Sequence, residues 1–318
     1  MKKILCVLMS CLLFVMAGCS GHSKNLKFGA ADIGGVYYSF ASTFTQLADK
    51  EIDGYTFETK TTAGSVANLR LISDGYIDLA IVQADLLSDA YNATGTFADK
   101  KYQKGYKAVA SLYTECCQIV VRKDSGITGI DDLINKTVSV GASESGSEKN
   151  AEQILKMSGI TDELINKVNM DYTEAAEKLK AGEIDAFFCT AGTRTEVIGQ
   201  LSKECDICLI SLDDKCIDKM LSAYSLCEKY IIPAGTYNGQ DSDVTTIGVK
   251  SVLIAKQSLS DDVIKKVTKT IYEHADDFKY ATSLDISFDI NTAADGVDIP
   301  FHSGAAAYYA EHGINVLT

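Results

Sequence analysis

Two glycine-rich corners carry the polar chemistry of this chain. One reads Gly29-Ala30-Ala31-Asp32-Ile33-Gly34-Gly35-Val36-Tyr37-Tyr38, the other Gly141-Ala142-Ser143-Glu144-Ser145-Gly146-Ser147. Each follows an apolar run and precedes an amphipathic one, which places it where a strand hands over to a helix. A helix start leaves backbone N–H groups without partners and carries the positive end of the helix dipole, so it attracts anions. A carboxylate held there gains ~0.3–1 kcal/mol when exposed and up to about 2 when partly buried, besides its hydrogen bonds. One such corner is an ordinary turn. Two in register, facing each other, make a cleft that grips a small acid from both sides.

Other polar residues fall at matching ends of the apolar runs. Thr62, Ser65 and Asn68 stand where a strand passes into a helix, Gln83 and Asp85 follow the run Leu79 to Val82, and Thr190 to Arg194 follow Ala186 to Cys189. Only three arginines occur, Arg70, Arg122 and Arg194, and of these Arg194 alone lies at such a strand end. It is the candidate for a bidentate carboxylate clamp, the alternative being a solvated first-turn arginine. A hydrolase is disfavoured. Gly141-Ala142-Ser143 begins like a nucleophile elbow, but Ser145 stands where the second glycine belongs, and the four histidines fit structural roles better than catalytic ones. No catalytic residue is expected.

The corners belong to a unit that occurs twice. Ser65 to Asp74 has a helical pattern that stops at Gly75, and Ile77-Asp78 leads into a continuous apolar strand. Thr173 to Ala181 has the same pattern, stops at Gly182, and Ile184-Asp185 leads into another. Strands apolar on both faces belong in a covered, largely parallel sheet. The upstream pieces echo each other too: a strand at Leu26 to Ala30 before the helix Tyr37 to Asp49, and one at Val138 to Val140 before the helix Glu148 to Met157. The expected fold is therefore α/β, with two similar lobes in tandem. Two extended connectors, Cys117 to Arg122 and Val244 to Lys256, link them and act as a hinge. The first lobe is expected at residues 26–117 and 249–318, the second at 118–248. The helix after the second connector is expected from Asp261 to Phe278.

With 318 residues, 46% of them apolar and 23% charged, the chain is globular and long enough for two domains. Its formal charge of −13 makes nucleic acid an improbable partner. Lys2 and Lys3 precede the apolar run Ile4 to Met16, which is too short to cross a bilayer at ~20 residues and fits an export signal. Met16-Ala17-Gly18-Cys19 then resembles a lipobox, so residues 1–18 are expected to be removed, Cys19 to carry lipid, and 19–25 to form a tether. The protein is placed outside the cytoplasm, anchored to a bacterial membrane. Seven cysteines remain: Cys116, Cys117, Cys189, Cys205, Cys208, Cys216 and Cys227. Cys205 and Cys208 with Cys216 and Cys227 admit a zinc site without its usual second close pair, and buried free thiols are the commoner alternative. Neither a cofactor nor a metal is expected.

Several motifs in order resemble one family. Gly34-Gly35-Val36-Tyr37-Tyr38, Thr62-Ala63-Gly64-Ser65-Val66-Ala67-Asn68, Gln83-Ala84-Asp85, Val121 to Ile127, Ile184-Asp185-Ala186-Phe187-Phe188, Tyr230 to Gln240 and Pro300 to Ala305 look like the TAXI solute-binding proteins of TRAP transporters. The likeness covers nearly all of the mature chain. It implies a two-lobed periplasmic-binding-protein fold of the second type, and a monomer that delivers a small acidic solute, glutamate-like or a dicarboxylate, to an ion-gradient-driven membrane permease. It maps ligand contacts onto Tyr37, Ser65, Asn68, Gln83 and the turn Ser145-Gly146-Ser147; the corners and strand ends add Gly35, Thr190 and Arg194. Loss of Tyr37 or Asn68 is expected to weaken binding without unfolding. The chain departs from the family at Gly192-Thr193-Arg194, where the third residue is usually proline, and at His302-Ser303-Gly304-Ala305, where the second is. An ABC importer's binding lipoprotein or a surface sensor shares the same hinge and trap.

Overall fold

The computed structural model describes residues 23–99, 104–283 and 288–318. The export signal and Cys19 lie outside them. In the first half, β1 (Lys24–Gly29), α1 (Val36–Glu51), β2 (Tyr55–Lys60), α2 (Ser65–Ser73), β3 (Leu79–Gln83) and α3 (Ala84–Asn92) alternate. In the second, β5 (Thr137–Ser139), α4 (Gly146–Met157), β6 (Asn166–Val168), α5 (Tyr172–Ala181), β7 (Ala186–Ala191) and α6 (Glu196–Glu204) repeat the order. Between them runs β4 (Tyr106–Arg122); later come β8 (Ile207–Leu209), α7 (Asp214–Ala223), β9 (Cys227–Ile232) and β10 (Val244–Lys256). The C-terminal part holds α8 (Asp261–Glu273), α9 (Ala275–Thr282) and α10 (Ser303–Glu311). The single helix expected from Asp261 is thus two, broken at His274, whose ring is held between Glu51 and Asp277.

The strand order is β2-β1-β3-β10-β4-β7-β5-β6, with β8 beside β4 and β9 beside β10. β1 pairs in parallel with β2 and β3, and β5 in parallel with β6 and β7. Each parallel triplet is closed by one antiparallel strand, β10 against β3 and β4 against β7. The two closing strands pair with each other from Gly248 and Cys116 to Lys256 and Tyr106. β4 has 17 residues, so it spans about 55 Å and passes through both halves. The expected lobe limits at 117/118 and 248/249 fall inside β4 and β10, beside Cys116, which pairs with Gly248 on one side and Ala191 on the other. The first connector is longer than expected because Tyr106 to Cys116 also form strand and pair with β10.

The repeat explains its own Ile-Asp step. Asp78 Oδ2 accepts the Lys27 amide at 2.9 Å while the Asp78 amide donates to the Lys27 carbonyl; Asp185 does the same with Thr137 at 2.8 Å. Each aspartate therefore locks the entry of its apolar strand to the first strand of its triplet. Around the first triplet pack Phe28, Phe40, Phe44 and Phe57, with Phe40 stacked on Phe278 at 4.4 Å between ring centres. A separate cluster of Val138, Val140, Ile154, Leu155, Phe188 and Met220 fills the second. His302 is buried and caps α10 by accepting the Gly304 amide at Nδ1, and Ser303, the residue that departs from the family, donates its hydroxyl to Asp261 at the start of α8. Replacing Asp185 with alanine is expected to lower unfolding free energy by ~1–3 kcal/mol. Asp78→Ala should cost more, because Asp78 also pairs with Lys256 at 2.7 Å. Urea midpoints of the two variants check this order.

Candidate functional site

Both glycine corners open onto one cavity at the junction of the two triplets. Its lining includes Asp32, Gly35 and Tyr37 from the first corner, Ser145, Gly146 and Ser147 from the second, Gly64, Ser65 and Gln83, and Glu115, Tyr172 and Thr190. The cavity volume is about 30 Å³, room for one or two waters. A solute of several heavy atoms therefore enters only if the halves part.

Helix starts converge here because neither α1 nor α2 has a side-chain cap: their N-caps are Gly35 and Gly64. Among the described residues, the amides of Val36 and Tyr37 in α1 and of Gly146 and Ser147 in α4 have no backbone acceptor. These are the free donors that a carboxylate takes. Gly64 is at φ 122°, a backbone conformation that residues with a side chain rarely adopt, so the chain needs glycine where it turns toward Ser145. At Gly146 a Cβ would come within 2.4 Å of the Gln83 amide.

Several hydroxyls expected to hold ligand instead hold the site. Ser65 Oγ accepts the Gln83 amide at 3.1 Å, and Ser145 Oγ accepts the Glu148 amide at 3.0 Å as the N-cap of α4. Ser147 Oγ accepts the Thr190 amide at 2.8 Å and bonds the Tyr172 hydroxyl, which donates to the Thr190 carbonyl at 3.0 Å. Two buried atoms in the lining have no partner, Gln83 Oε1 and Thr190 Oγ1. A buried acceptor without a donor costs ~1–3 kcal/mol, which a ligand or water in the cavity recovers.

Two expected contacts lie elsewhere. Asn68 is fully buried, and its Nδ2 donates to the carbonyls of Ala30 at 2.7 Å and Ile81 at 2.9 Å while its Oδ1 accepts from Thr62 at 2.7 Å. It ties the end of β1 to β3 and does not line the cavity. Arg194 is exposed, left-handed at φ 66°, and lines an outer groove with Ser39, Glu196 and Lys203. It follows β7 as the pattern suggested, but the tight turn ahead of α6 aims it outward, so it does not reach the inner lining.

Sequence reading overlooked Glu115, Tyr172 and Asp32. Glu115 lies on β4 one residue before the pairing switch, buried at 2% exposure, and Oε2 accepts from the Tyr37 hydroxyl at 3.1 Å and Gln83 Nε2 at 3.2 Å. Burial pushes its carboxyl up to about 8, against the pull of those two donors. The signal was one acidic residue inside the apolar stretch Leu112 to Val121. Asp32 is raised to about 6 by burial and by Asp171 across the cleft. Among the described residues the lining holds no lysine, arginine or histidine.

The halves also touch directly. Gln83 Nε2 donates to Asn150 Oδ1 on α4 at 3.0 Å. Glu144, left-handed at φ 65°, accepts the Ala67 amide at its carbonyl and pairs through both carboxylate oxygens with Arg70. The α2 helix, lacking a cap of its own, thus takes one from the opposite half.

Against this geometry, residues 28–313 match the NMT1-like family. The chain belongs to that family. Among solved structures, PhnD1 from Prochlorococcus marinus in complex with methylphosphonate is similar at TM-score 0.58 and 12% identity, over 84% of this chain and 93% of that one. A Listeria monocytogenes protein assigned as an L-cystine ABC transporter gives 0.52 and 15%, over 82% and 94%. The alkanesulfonate-binding protein SsuA from Xanthomonas axonopodis pv. citri, bound to MOPS, gives 0.50 and 13%, over 90% and 83%. The NMT1-like chain accordingly has the α/β, two-lobed fold of periplasmic solute-binding proteins.

The seven described cysteines are free: Cys116, Cys117, Cys189, Cys216 and Cys227 are buried, Cys205 and Cys208 partly so. Among the described residues no three His, Cys, Asp or Glu side chains gather around a point that could hold a metal ion.

Asn68→Ala is expected to destabilise by ~2–4 kcal/mol, because it leaves buried carbonyls without donors, and differential scanning calorimetry would register a lowered melting temperature. The Glu115 carboxyl holds its proton in the folded state up to about pH 8 but loses it near 4.5 when unfolded. Folded protein binds the extra proton between these values, so stability falls as pH rises through that window, by roughly 3–5 kcal/mol at most. Melting curves from pH 5 to 8 should show the decline, and Glu115→Gln should flatten it.

Proposed function

We propose that this chain is an extracytoplasmic receptor that closes two lobes over a small acidic solute and hands it to a membrane permease. The observation that carries this is the pair of helix starts, one from each half, whose free amides meet at a cavity too small for the solute unless the halves open. Only the closed form lets both ends touch one guest, so the guest's differential contacts drive closure. On this reading lobe 1 comprises residues 26–117 and 249–318, lobe 2 comprises 118–248, and the hinge lies where β4 and β10 cross between them. Cys19 carries the lipid that holds the receptor at the membrane. Gly35, Tyr37, Ser65, Gln83, Ser145, Gly146, Ser147 and Thr190 form the binding wall, with the three serines acting chiefly by aiming backbone donors.

The permease is of the ion-gradient-driven TRAP type, as the motifs from Gly34 to Ala305 suggest. A second reading, the binding lipoprotein of an ABC importer, is supported by the likeness to the Listeria protein assigned to L-cystine ABC transport. Titration calorimetry of residues 20–318 against amino acids and dicarboxylates tests the receptor. Saturable heat and a smaller radius of gyration by X-ray scattering are expected, and turnover of a substrate without either would end the proposal. Uptake by cells carrying the full chain and the permease encoded beside it separates the partners. Collapse with ionophores at constant ATP marks the TRAP reading; persistence under ionophores with loss on ATP depletion marks the ABC one.

A further inference from the structure

We propose that Asp85 couples capture to proton uptake: the halves shut fully over a guest once this carboxyl, buried between them, has taken up a proton. This rests on the receptor reading above and adds what regulates the same cleft.

Asp85 lies outside the cavity lining, in the first turn of α3. An ionised carboxylate is stabilised at such a position, because a helix start offers it free amides and positive potential. The tertiary structure works against that charge. The side chain is buried at 8% exposure, and among the described residues neither carboxylate oxygen makes a hydrogen bond. A carboxylate buried in this way loses its hydration without a replacement, so the group keeps its proton instead. Burial, helped by Asp89 one turn further along α3, outweighs the pull of the Asp85 and Leu86 amides and of the Gln153 side chain, and pushes the carboxyl up to about 6.

Much of what surrounds Asp85 comes from the other half. Gln153 faces it from α4, while Tyr224, just after α7, and Cys227, at the start of β9, lie close enough to feel its charge. So does Glu115 on β4. The titratable groups around Asp85 are thus Asp89, Glu115, Tyr224 and Cys227, and none of them is a cation.

A line of polar side chains also joins Asp85 to the cavity. Gln83 Nε2 donates to Glu115 Oε2 at 3.2 Å and to Asn150 Oδ1 at 3.0 Å, and Asn150 Nδ2 donates to Gln153 Oε1 at 3.2 Å. Parting the halves breaks this line between Gln83 and Asn150 and takes Gln153 and Tyr224 away from Asp85. The carboxyl then meets water and returns toward its ordinary value near 3.8. The shut form is the one with the raised value, so it binds the extra proton between about 4 and 6, and affinity falls as pH rises through that window. Asp32 and Glu115 in the lining are raised by burial too, to about 6 and about 8, and act in the same direction. Of the three, Asp85 is the one that a guest in the cavity does not touch, so changing it separates the proton effect from ligand contact.

The test is titration calorimetry of residues 20–318 at pH 5 and pH 7, with the tightest binder among L-glutamate, L-aspartate, 2-oxoglutarate, glutarate and succinate. Wild type is expected to bind it at least tenfold tighter at pH 5. Asp85→Asn keeps the shape of the protonated carboxyl and shuts without desolvating a charge. It should therefore bind at least tenfold tighter than wild type at pH 7, with the gap narrowing toward pH 5. A pH electrode in unbuffered salt at pH 5.5 should record proton uptake as the guest saturates the protein, smaller in the variant by roughly 0.7 proton. Circular dichroism checks the fold, and Asp85→Ala, which removes the same titrating group, takes the place of an asparagine variant that does not fold. A folded Asp85 variant with wild-type affinity at pH 7 and wild-type proton uptake overturns the coupling and leaves the receptor intact. Silence from all five compounds at both pH values overturns the receptor reading and the coupling together.

Discussion

The amides that begin α1 and α4 have no backbone acceptor, and the cleft is organised by where the fold points them. A helix normally closes its first turn with a side chain or water. Here the N-cap of α1 is a glycine, and the N-cap serine of α4 satisfies only the Glu148 amide. Two helix starts from opposite halves thus keep donors turned toward one small space. Their surroundings are built to hold that direction: Ser65 fixes the backbone of Gln83, Ser147 fixes that of Thr190, and Asn68 fixes the end of β1.

The paired strands β4 and β10 join the two halves of this arrangement. Each begins in one half and ends in the other, and they bond to each other over the first triplet before diverging to β7 and β9. On the receptor reading proposed above, a change of a few degrees near Cys116 and Gly248, where the partners switch, would move the far ends while leaving each triplet's hydrogen bonds alone. The halves are joined across the cleft by the Glu144 carbonyl on the Ala67 amide, its carboxylate on Arg70, and Asn150 on Gln83. The paired charges are about one-third exposed, so their worth is small and salt-dependent.

Glu115 sits at the meeting of these two themes. It belongs to the hinge strand, faces the cavity, and is reached by Tyr37 of α1 and by Gln83, which in turn touches α4. Burial keeps its carboxyl protonated well above the ordinary range, so the empty site avoids an unpaired buried charge. Asp32 at the mouth behaves similarly, raised by burial and by the nearby Asp171.

The amino-acid sequence by itself determined the repeated α/β units, because continuous apolar strands after Asp78 and Asp185 and glycines at the helix ends are local patterns that physics reads directly. It also determined both glycine-rich corners that line the cavity, since glycine beside a hydroxyl at a strand-to-helix turn is a short-range signal. Only the tertiary structure decided which side chains face the cavity. Asn68 and Arg194 stand at the right positions along the chain, yet one is spent on neighbouring carbonyls and the other turns outward on a left-handed residue. Glu115 was invisible for the opposite reason: a lone acid inside an apolar strand acquires meaning only when strands distant in sequence bury it beside Tyr37 and Gln83. Direction and burial are set by packing across the sheet, and no local pattern records them.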